Sequence, residues 1–142
     1  MISNNPDFSL QEPTSHISLQ DIQFIINMDN CIFCKIIRGE IPGKFIHREG
    51  EWVAFYDISP KAPIHVLIVP TSHIESIADV HDSDGVLLGN LLLAAKKIAQ
   101  KLKIDKSGFK LIINNGKGSG QIVPHLHIHL LGGWGKNPEW KV

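Results

Sequence analysis

The sequence predicts an α+β domain with a five-stranded antiparallel sheet, one long helix and one short helix. Apolar residues between Leu87 and Leu102 recur at steps of one, three and four, which is typical of one long amphipathic helix. Five shorter apolar runs are bounded by Gly, Pro or Asn, as strands usually are. The chain has no internal repeat, so we expect these elements to form a single α+β domain.

The first elements of this domain are a short helix and a hairpin. After Cys31, apolar residues at helical spacing predict a helix that Gly39 ends. Residues 45–48 and 52–56 then form two strands, because the three residues between them include a glycine suited to a tight turn.

Three further strands complete the predicted sheet. Residues 64–69 are rich in β-branched side chains and stop at a proline, which ends a strand. Residues 109–113 form the fourth strand and residues 122–131 the fifth, with an Asn-Gly turn signal at 115–116.

Length and charge limit the classes of function. The chain has 142 residues, which suits a single core, and we divide it into an extension, residues 1–29, and a domain, residues 30–142. The extension is expected to be flexible or to form a short helix. A formal net charge of zero excludes a polybasic nucleic-acid-binding role. We find neither a membrane-spanning apolar run nor a signal segment, and therefore expect a cytoplasmic protein.

Three histidines near the carboxyl end alternate with aliphatic residues in the run PHLHIHLL. On a strand this alternation puts His125, His127 and His129 on one face, with neighbouring imidazoles about 6.6 Å apart. The outer two would lie about 13 Å apart, too far to share one metal ion on a straight strand. The alternative, a polar face on a half-exposed strand, explains one histidine better than three.

Two more patterns suggest chemistry. The glycine-rich segment NNGKGSGQ directly precedes the histidines and could cradle a phosphate, although an Asn-Gly hairpin explains half of it. Cys31 and Cys34 form a CxxC pair that could bind zinc with His73 and His125 as further candidates. Two free thiols in a reducing cytosol are the alternative.

These segments together resemble the histidine triad (HIT) family. The resemblance runs from about Cys31 to Gly133 and rests on HLHIHLL, CIFCKIIRGEIP, AFYDISPKAPIHVLIVP, TSHI, NNGKGSGQ and LGG. Among HIT proteins the chain is most similar to the Hint-type nucleotide-binding branch that has a CxxC zinc site. The resemblance implies the HIT fold, in which two five-stranded sheets pair into a ten-stranded sheet in a homodimer.

The resemblance also implies an activity, the hydrolysis of purine nucleoside 5′-phosphoramidates to a nucleoside monophosphate and an amine. Three alternatives stay open. They are a dinucleoside polyphosphate hydrolase of the same family, a nucleotide-binding interaction protein with weak activity, and a hydrolase in which the triad histidines hold a catalytic zinc ion. No nucleic acid or membrane partner is implied.

Roles carried over from the family fall on specific residues. His127 matches the nucleophile that becomes transiently nucleotidylated, and His65 and His129 match the histidines that contact phosphate oxygens and assist proton movement. Asp57 matches the carboxylate that binds the ribose hydroxyls. Asn114 and the backbone of Gly120 and Gln121 match the phosphate-binding groups. The apolar slot for the base is expected at Ile32, Phe33, Ile36, Phe55, Ile58 and Leu67.

The metal ligands implied by the family are Cys31, Cys34, His73 and His125. Four protein ligands leave no open position for water, so we expect the zinc ion to be structural. The chain also departs from the family pattern. Ile122 stands where well-known members carry a serine that helps the amine to depart, and the tail from Trp134 onward differs from the usual ending.

Overall fold

The structure is a computed structural model that describes residues 17–48 and 50–135. The first sixteen residues of the expected extension and the tail from residue 136 lie outside this part of the chain. The chain divides into two compact units, residues 1–30 and 31–142. Within the described residues, no helix is long and apolar enough to cross a membrane.

The described part of the first unit, residues 17–30, contains the helix α1 (Leu19–Asn30). Its start is capped reciprocally, because the Asp21 N–H donates to the Ser18 hydroxyl and the Ser18 N–H donates to the Asp21 carboxylate. The apolar side chains of Ile22, Phe24, Ile25 and Ile26 are between 42% and 50% exposed, and that of Leu19 is 84% exposed. Residues 19–30 are therefore a helix whose large apolar side chains are half-buried or exposed.

Within its described residues, the second unit contains two α-helices and five strands. The helices are α2 (Ile32–Ile37) and α3 (Gly85–Lys101). The strands are β1 (Phe45–His47), β2 (Trp52–Tyr56), β3 (Ile64–Pro70), β4 (Phe109–Ile112) and β5 (Ile128–Gly132). They form one sheet in the order β1-β2-β3-β5-β4, with every neighbouring pair antiparallel. The predicted five-stranded antiparallel sheet with one long and one short helix is confirmed.

One face of this sheet packs under α3 and forms the core. Strand side chains alternate between faces, so β3 buries Val66 and Ile68 on the helix side, and β5 buries Ile128 and Leu130 there. The α3 residues that meet them are Leu91, Ala94, Ala95, Ile98 and Ala99. Three of these five are alanines, whose small side chains allow a helix to pack closely on a sheet.

The other face carries the histidines and is partly covered by α2. Register places Phe55, Leu67, His129 and Ile112 in one row across β2, β3, β5 and β4. Phe33 of α2 packs edge-on against Phe55, with ring centroids 5.5 Å apart. Chemistry-bearing side chains and the apolar core therefore occupy opposite faces of the same strands.

The fifth strand is shorter than the sequence predicts. It begins at Ile128, so residues 122–127 are irregular rather than extended. The cause is a tight bend in which the His125 N–H donates to the Val123 carbonyl at 2.8 Å, followed by Leu126 donating to Ile74 at 2.6 Å. The prediction that all three histidines share one strand face is wrong, because His125 lies on this bend.

Candidate active site and metal centre

The alternating histidines enter two different environments. His125 is fully buried beside the cysteine pair, whereas His127 and His129 line a cleft on the open face of the sheet. The rings of His127 and His129 are 4.8 Å apart between centroids. One motif therefore serves two adjacent sites, a sulfur-rich centre and a cleft.

Backbone carbonyls fix the tautomers of His125 and His127. The His125 Nε2 lies 2.8 Å from the Pro70 carbonyl oxygen, and the His127 Nδ1 lies 2.6 Å from the His125 carbonyl oxygen. A carbonyl oxygen only accepts hydrogen bonds, so these two nitrogens carry the protons in the neutral rings. Lone pairs remain on Nδ1 of His125 and on Nε2 of His127.

The four predicted metal ligands come together. The Sγ atoms of Cys31 and Cys34 lie 3.3 and 3.5 Å from Nδ1 of His125. Nδ1 of His73 lies 3.3 Å from the Cys34 sulfur and 3.2 Å from Nδ1 of His125. All four side chains are buried.

These separations match the edges of a tetrahedral zinc site. Zn–S bonds of about 2.3 Å and Zn–N bonds of about 2.0 Å give S···N edges of about 3.5 Å and N···N edges of about 3.3 Å. The lone pair on Nδ1 of His125 is the ligand atom such a site needs. Cys31 also accepts a hydrogen bond from the Cys34 N–H at the start of α2, which places both thiols at one helix end. The four donors fit one zinc ion.

A second cluster consists of Asp57, His65 and His129. Its histidines belong to a chain of hydrogen bonds in which each group donates to the next. The Lys61 N–H donates to Nδ1 of His65 at 3.0 Å, so the His65 proton is on Nε2. That Nε2 lies 2.9 Å from Nδ1 of His129 and 3.5 Å from a carboxylate oxygen of Asp57. A metal ion would need the nitrogen that carries this proton, so the cluster suits proton donation better than metal binding. In the neutral His129 ring, Nε2 then carries a proton.

Burial keeps the cleft histidines neutral near pH 7. It lowers the pKa values of His127 and His65, with the nearby Asp57 carboxylate opposing the effect in both cases. Burial, then repulsion from His127 and His65, lowers the pKa of His129 to about 4. A neutral His127 retains the Nε2 lone pair that a nucleophile requires.

A cleft of about 1120 Å³ surrounds these rings, slightly above the usual size range of small-molecule sites. Of the residues predicted for catalysis or nucleotide binding, all except Gln121 line it. The apolar members are Phe33, Ile36, Phe55 and Leu67, which are buried, with Ile32 and Ile58 exposed at 42% and 94%. Ile58 therefore belongs to the rim rather than to a closed slot.

The glycine-rich loop borders this cleft through Gly120, and Asn114 lines the cleft as well. The backbone N–H groups predicted to bind phosphate are already donors within the loop, from Gly120 to Lys117 at 3.0 Å and from Gln121 to Gly116 at 3.2 Å. Gln121 is not among the described residues that line the cleft. Its side chain instead makes hydrogen bonds to backbone groups that precede it in the chain, at Gly116, and follow it, at Val123.

Two contributors to the site were missed from the sequence. They are the Pro70 carbonyl, which fixes the tautomer of His125, and the Lys61 N–H, which fixes that of His65. Both act through the backbone, so their side chains give no signal. In the sequence, Pro70 indicates only the end of a strand.

Comparison with known proteins gives consistent matches. A family model described as "HIT domain" matches residues 38–135. Protein HitA of Neisseria gonorrhoeae is 48% identical over 105 residues, covering 74% of this chain and 97% of HitA.

Solved structures match over most of their length. A HIT family hydrolase from Legionella pneumophila has 48% identity and a TM-score of 0.73, covering 75% of this chain and 95% of that one. A histidine triad nucleotide-binding protein from Candida albicans has 34% identity and a TM-score of 0.65, covering 79% and 85%.

Proposed function

This chain belongs to the HIT domain family, and we propose that it is a phosphoramidase of the Hint-type branch that hydrolyses purine nucleoside 5′-phosphoramidates. The observation that carries the proposal is the 2.6 Å contact between Nδ1 of His127 and the His125 carbonyl, inside the cleft. It leaves Nε2 of a neutral imidazole as the nucleophile. The nucleotide-binding name of the Candida albicans relative supports the choice of substrate class.

The reaction takes two displacements. Nε2 of His127 attacks the α-phosphorus and forms a P–N bond to it, while the P–N bond to the leaving group breaks and the amine departs with a proton taken from solvent water. Water then attacks the same phosphorus and forms a P–O bond, the P–N bond to His127 breaks, the water's proton passes to solvent, and the nucleoside monophosphate leaves a free neutral His127. Two displacements replace one difficult step by two easier ones.

The other cleft residues orient the substrate in this scheme. The proton on Nε2 of His129 donates a hydrogen bond to a phosphate oxygen, and the Lys61–His65–His129 chain holds that tautomer. One oxygen of Asp57 accepts the Ser59 N–H at 2.7 Å, and the carboxylate binds the ribose hydroxyls with its remaining acceptor capacity. Phe33, Phe55 and Leu67 supply the apolar wall for the base.

We further propose that Cys31, Cys34, His73 and His125 hold a structural zinc ion. The tetrahedral spacing of their donor atoms supports it, and a four-ligand site serves to cross-link the chain. Both cysteines are free thiols. A reducing compartment keeps thiols available for metal, so we place the protein in the cytoplasm.

We also propose a homodimer joined through β4. This strand lies at one end of the sheet, and Leu111 and the neighbouring Ile113 are 37% and 39% exposed there. Pairing two such edges would give a ten-stranded sheet and cover these side chains. Sedimentation at micromolar concentration should give the mass of two chains, and a monomer would exclude this part of the proposal.

The test of the proposed activity compares AMP release from adenosine 5′-phosphoramidate and from a diadenosine polyphosphate. We expect kcat/KM to be at least about tenfold higher for the phosphoramidate, and His127→Asn to lower it by at least about 10³-fold. His81→Asn, at an exposed histidine outside the cleft, is the matched control and should keep full activity.

Two other results would contradict this activity. Faster cleavage of the diadenosine polyphosphate would assign the chain to the dinucleoside polyphosphate hydrolases. Tight AMP binding without measurable turnover would indicate a nucleotide-binding protein, a reading that the family departure at Ile122 supports.

A further inference from the structure

We propose that the side chain of Gln121 is a positioning residue, which holds the glycine-rich loop (residues 116–121) in a fixed place relative to His127. This inference rests on the proposed function, because it concerns how the loop shapes the cleft wall beside the nucleophile, where the phosphate of the substrate would lie. The family resemblance gives Gln121 only a backbone role. Its amide side chain is half-buried and lies outside the cleft lining of the described residues.

The first step is loop closure. The Gly116 N–H donates to Oε1 of Gln121 at 2.7 Å, and the Gln121 N–H donates back to the Gly116 carbonyl at 3.2 Å. The two ends of the loop are thus joined twice. Gly116 has φ of +79° at this junction, a conformation that glycine adopts without strain.

The second step is anchoring. Nε2 of Gln121 donates to the carbonyl oxygens of Glu75 at 2.7 Å and Val123 at 3.0 Å. Both N–H groups of the amide are therefore used, and its oxygen is used as well. A half-buried amide with all of these partners holds one orientation, because each alternative leaves polar groups unsatisfied.

The third step connects the anchor to the nucleophile. The Ile74 carbonyl, one residue before Glu75, accepts the N–H of Leu126 at 2.6 Å. Leu126 lies between His125 and His127. Segment 74–75 therefore holds both the triad backbone and the Gln121 side chain, so the loop and the nucleophile share one support.

The consequence is geometric control of catalysis. Gly120, directly before Gln121, lines the same cleft as His127. In-line attack requires the phosphorus to sit within a few tenths of an ångström of its productive position, and a misplacement of about 1 Å costs about 10²-fold in rate. Loss of the Gln121 side-chain bonds frees the loop to move by such an amount.

The test measures AMP binding and steady-state turnover in two variants. Gln121→Met keeps the length of the side chain and removes all three side-chain hydrogen bonds. Gln121→Glu keeps an acceptor for the Gly116 N–H but cannot donate to the Glu75 and Val123 carbonyls. Both should lower kcat/KM by about 10²-fold and weaken AMP binding by at least about tenfold.

Two controls separate positioning from a general loss of structure. Gln100→Met, at an exposed site near the end of α3, should leave both quantities unchanged. His127→Asn should abolish turnover while its Kd for AMP stays within about twofold of wild type. Gln121 variants that melt at lower temperature, yet keep the wild-type Kd and KM in the folded protein, would overturn the proposal.

A measurement on the wild-type protein covers variants that fail to fold. The Gly116 amide should exchange with solvent at least about tenfold more slowly than in an unstructured peptide, since Oε1 of Gln121 accepts its hydrogen bond. Exchange at the unstructured rate would overturn the proposal. A wild-type protein that neither binds AMP nor hydrolyses the phosphoramidate would overturn the proposed function itself.

Discussion

At the scale of single residues, each triad histidine has one ring nitrogen committed to a partner and the other left for chemistry. His125 keeps a lone pair facing the thiols, His127 keeps one in the cleft, and His129 keeps a proton. The alternation of histidine with aliphatic residues predicts that the three histidines belong to a functional site. It cannot predict these assignments, because the deciding partners include the backbone of Pro70 and Lys61, distant in the chain.

Stability should depend on pH through His129. Its pKa is about 4 in the folded protein and about 6.5 in the unfolded chain, so between these values the unfolded chain binds more protons. Folding stability is therefore complete above about pH 6.5 and decreases as the pH falls towards 4. Urea unfolding across this range should show the decrease, with a smaller slope in His129→Gln. Equal slopes in the two proteins would contradict the assignment.

At the scale of elements, strand β5 shows what a periodic pattern can and cannot predict. The alternation of histidine with aliphatic residues correctly predicts that Ile128 and Leu130 are buried on one face. The same alternation continues through Pro124 and Leu126, where the chain bends instead. A bend fixed by a bond to Ile74 depends on tertiary contacts, which a local pattern does not contain.

Shortening a core side chain of β5 should reduce stability without altering the chemistry. Leu130 is fully buried under α3, so Leu130→Ala should lower the free energy of unfolding by about 2–5 kcal/mol. Leu93→Ala, at a position on α3 that is 56% exposed, should change it by less than about 0.5 kcal/mol. Chemical denaturation measures both, and kcat per folded molecule should stay at the wild-type value. Similar losses in the two variants would be inconsistent with this core.

At the scale of the whole molecule, the sequence predicts the fold class and the HIT family, and both are confirmed. Those predictions succeed because hydrophobic periodicity and several motifs point to the same arrangement. The extent of the apolar slot is less predictable, since Ile58 lies 94% exposed at the rim. The roles of the site residues, the zinc ion and the dimer stay predictions.

Removal of zinc should loosen the whole second unit before it affects the chemistry. The centre joins α2, His73 after β3 and His125 before β5, segments as far as 94 residues apart. A chelated sample, or Cys34→Ser, should melt at lower temperature, and added Zn²⁺ should restore only the chelated wild type. Metal analysis and thermal melting test this. A zinc-free protein with unchanged melting and normal rate would exclude a structural ion.

The most direct test of the central claim is to trap the nucleotidyl intermediate. Wild-type protein mixed with adenosine 5′-phosphoramidate and quenched within one turnover should gain the mass of one adenylyl group, located by peptide mapping on His127. His127→Asn should gain none. Turnover by the wild-type protein without any adenylylated species, or with the group on another residue, would contradict the assignment of His127 as the nucleophile.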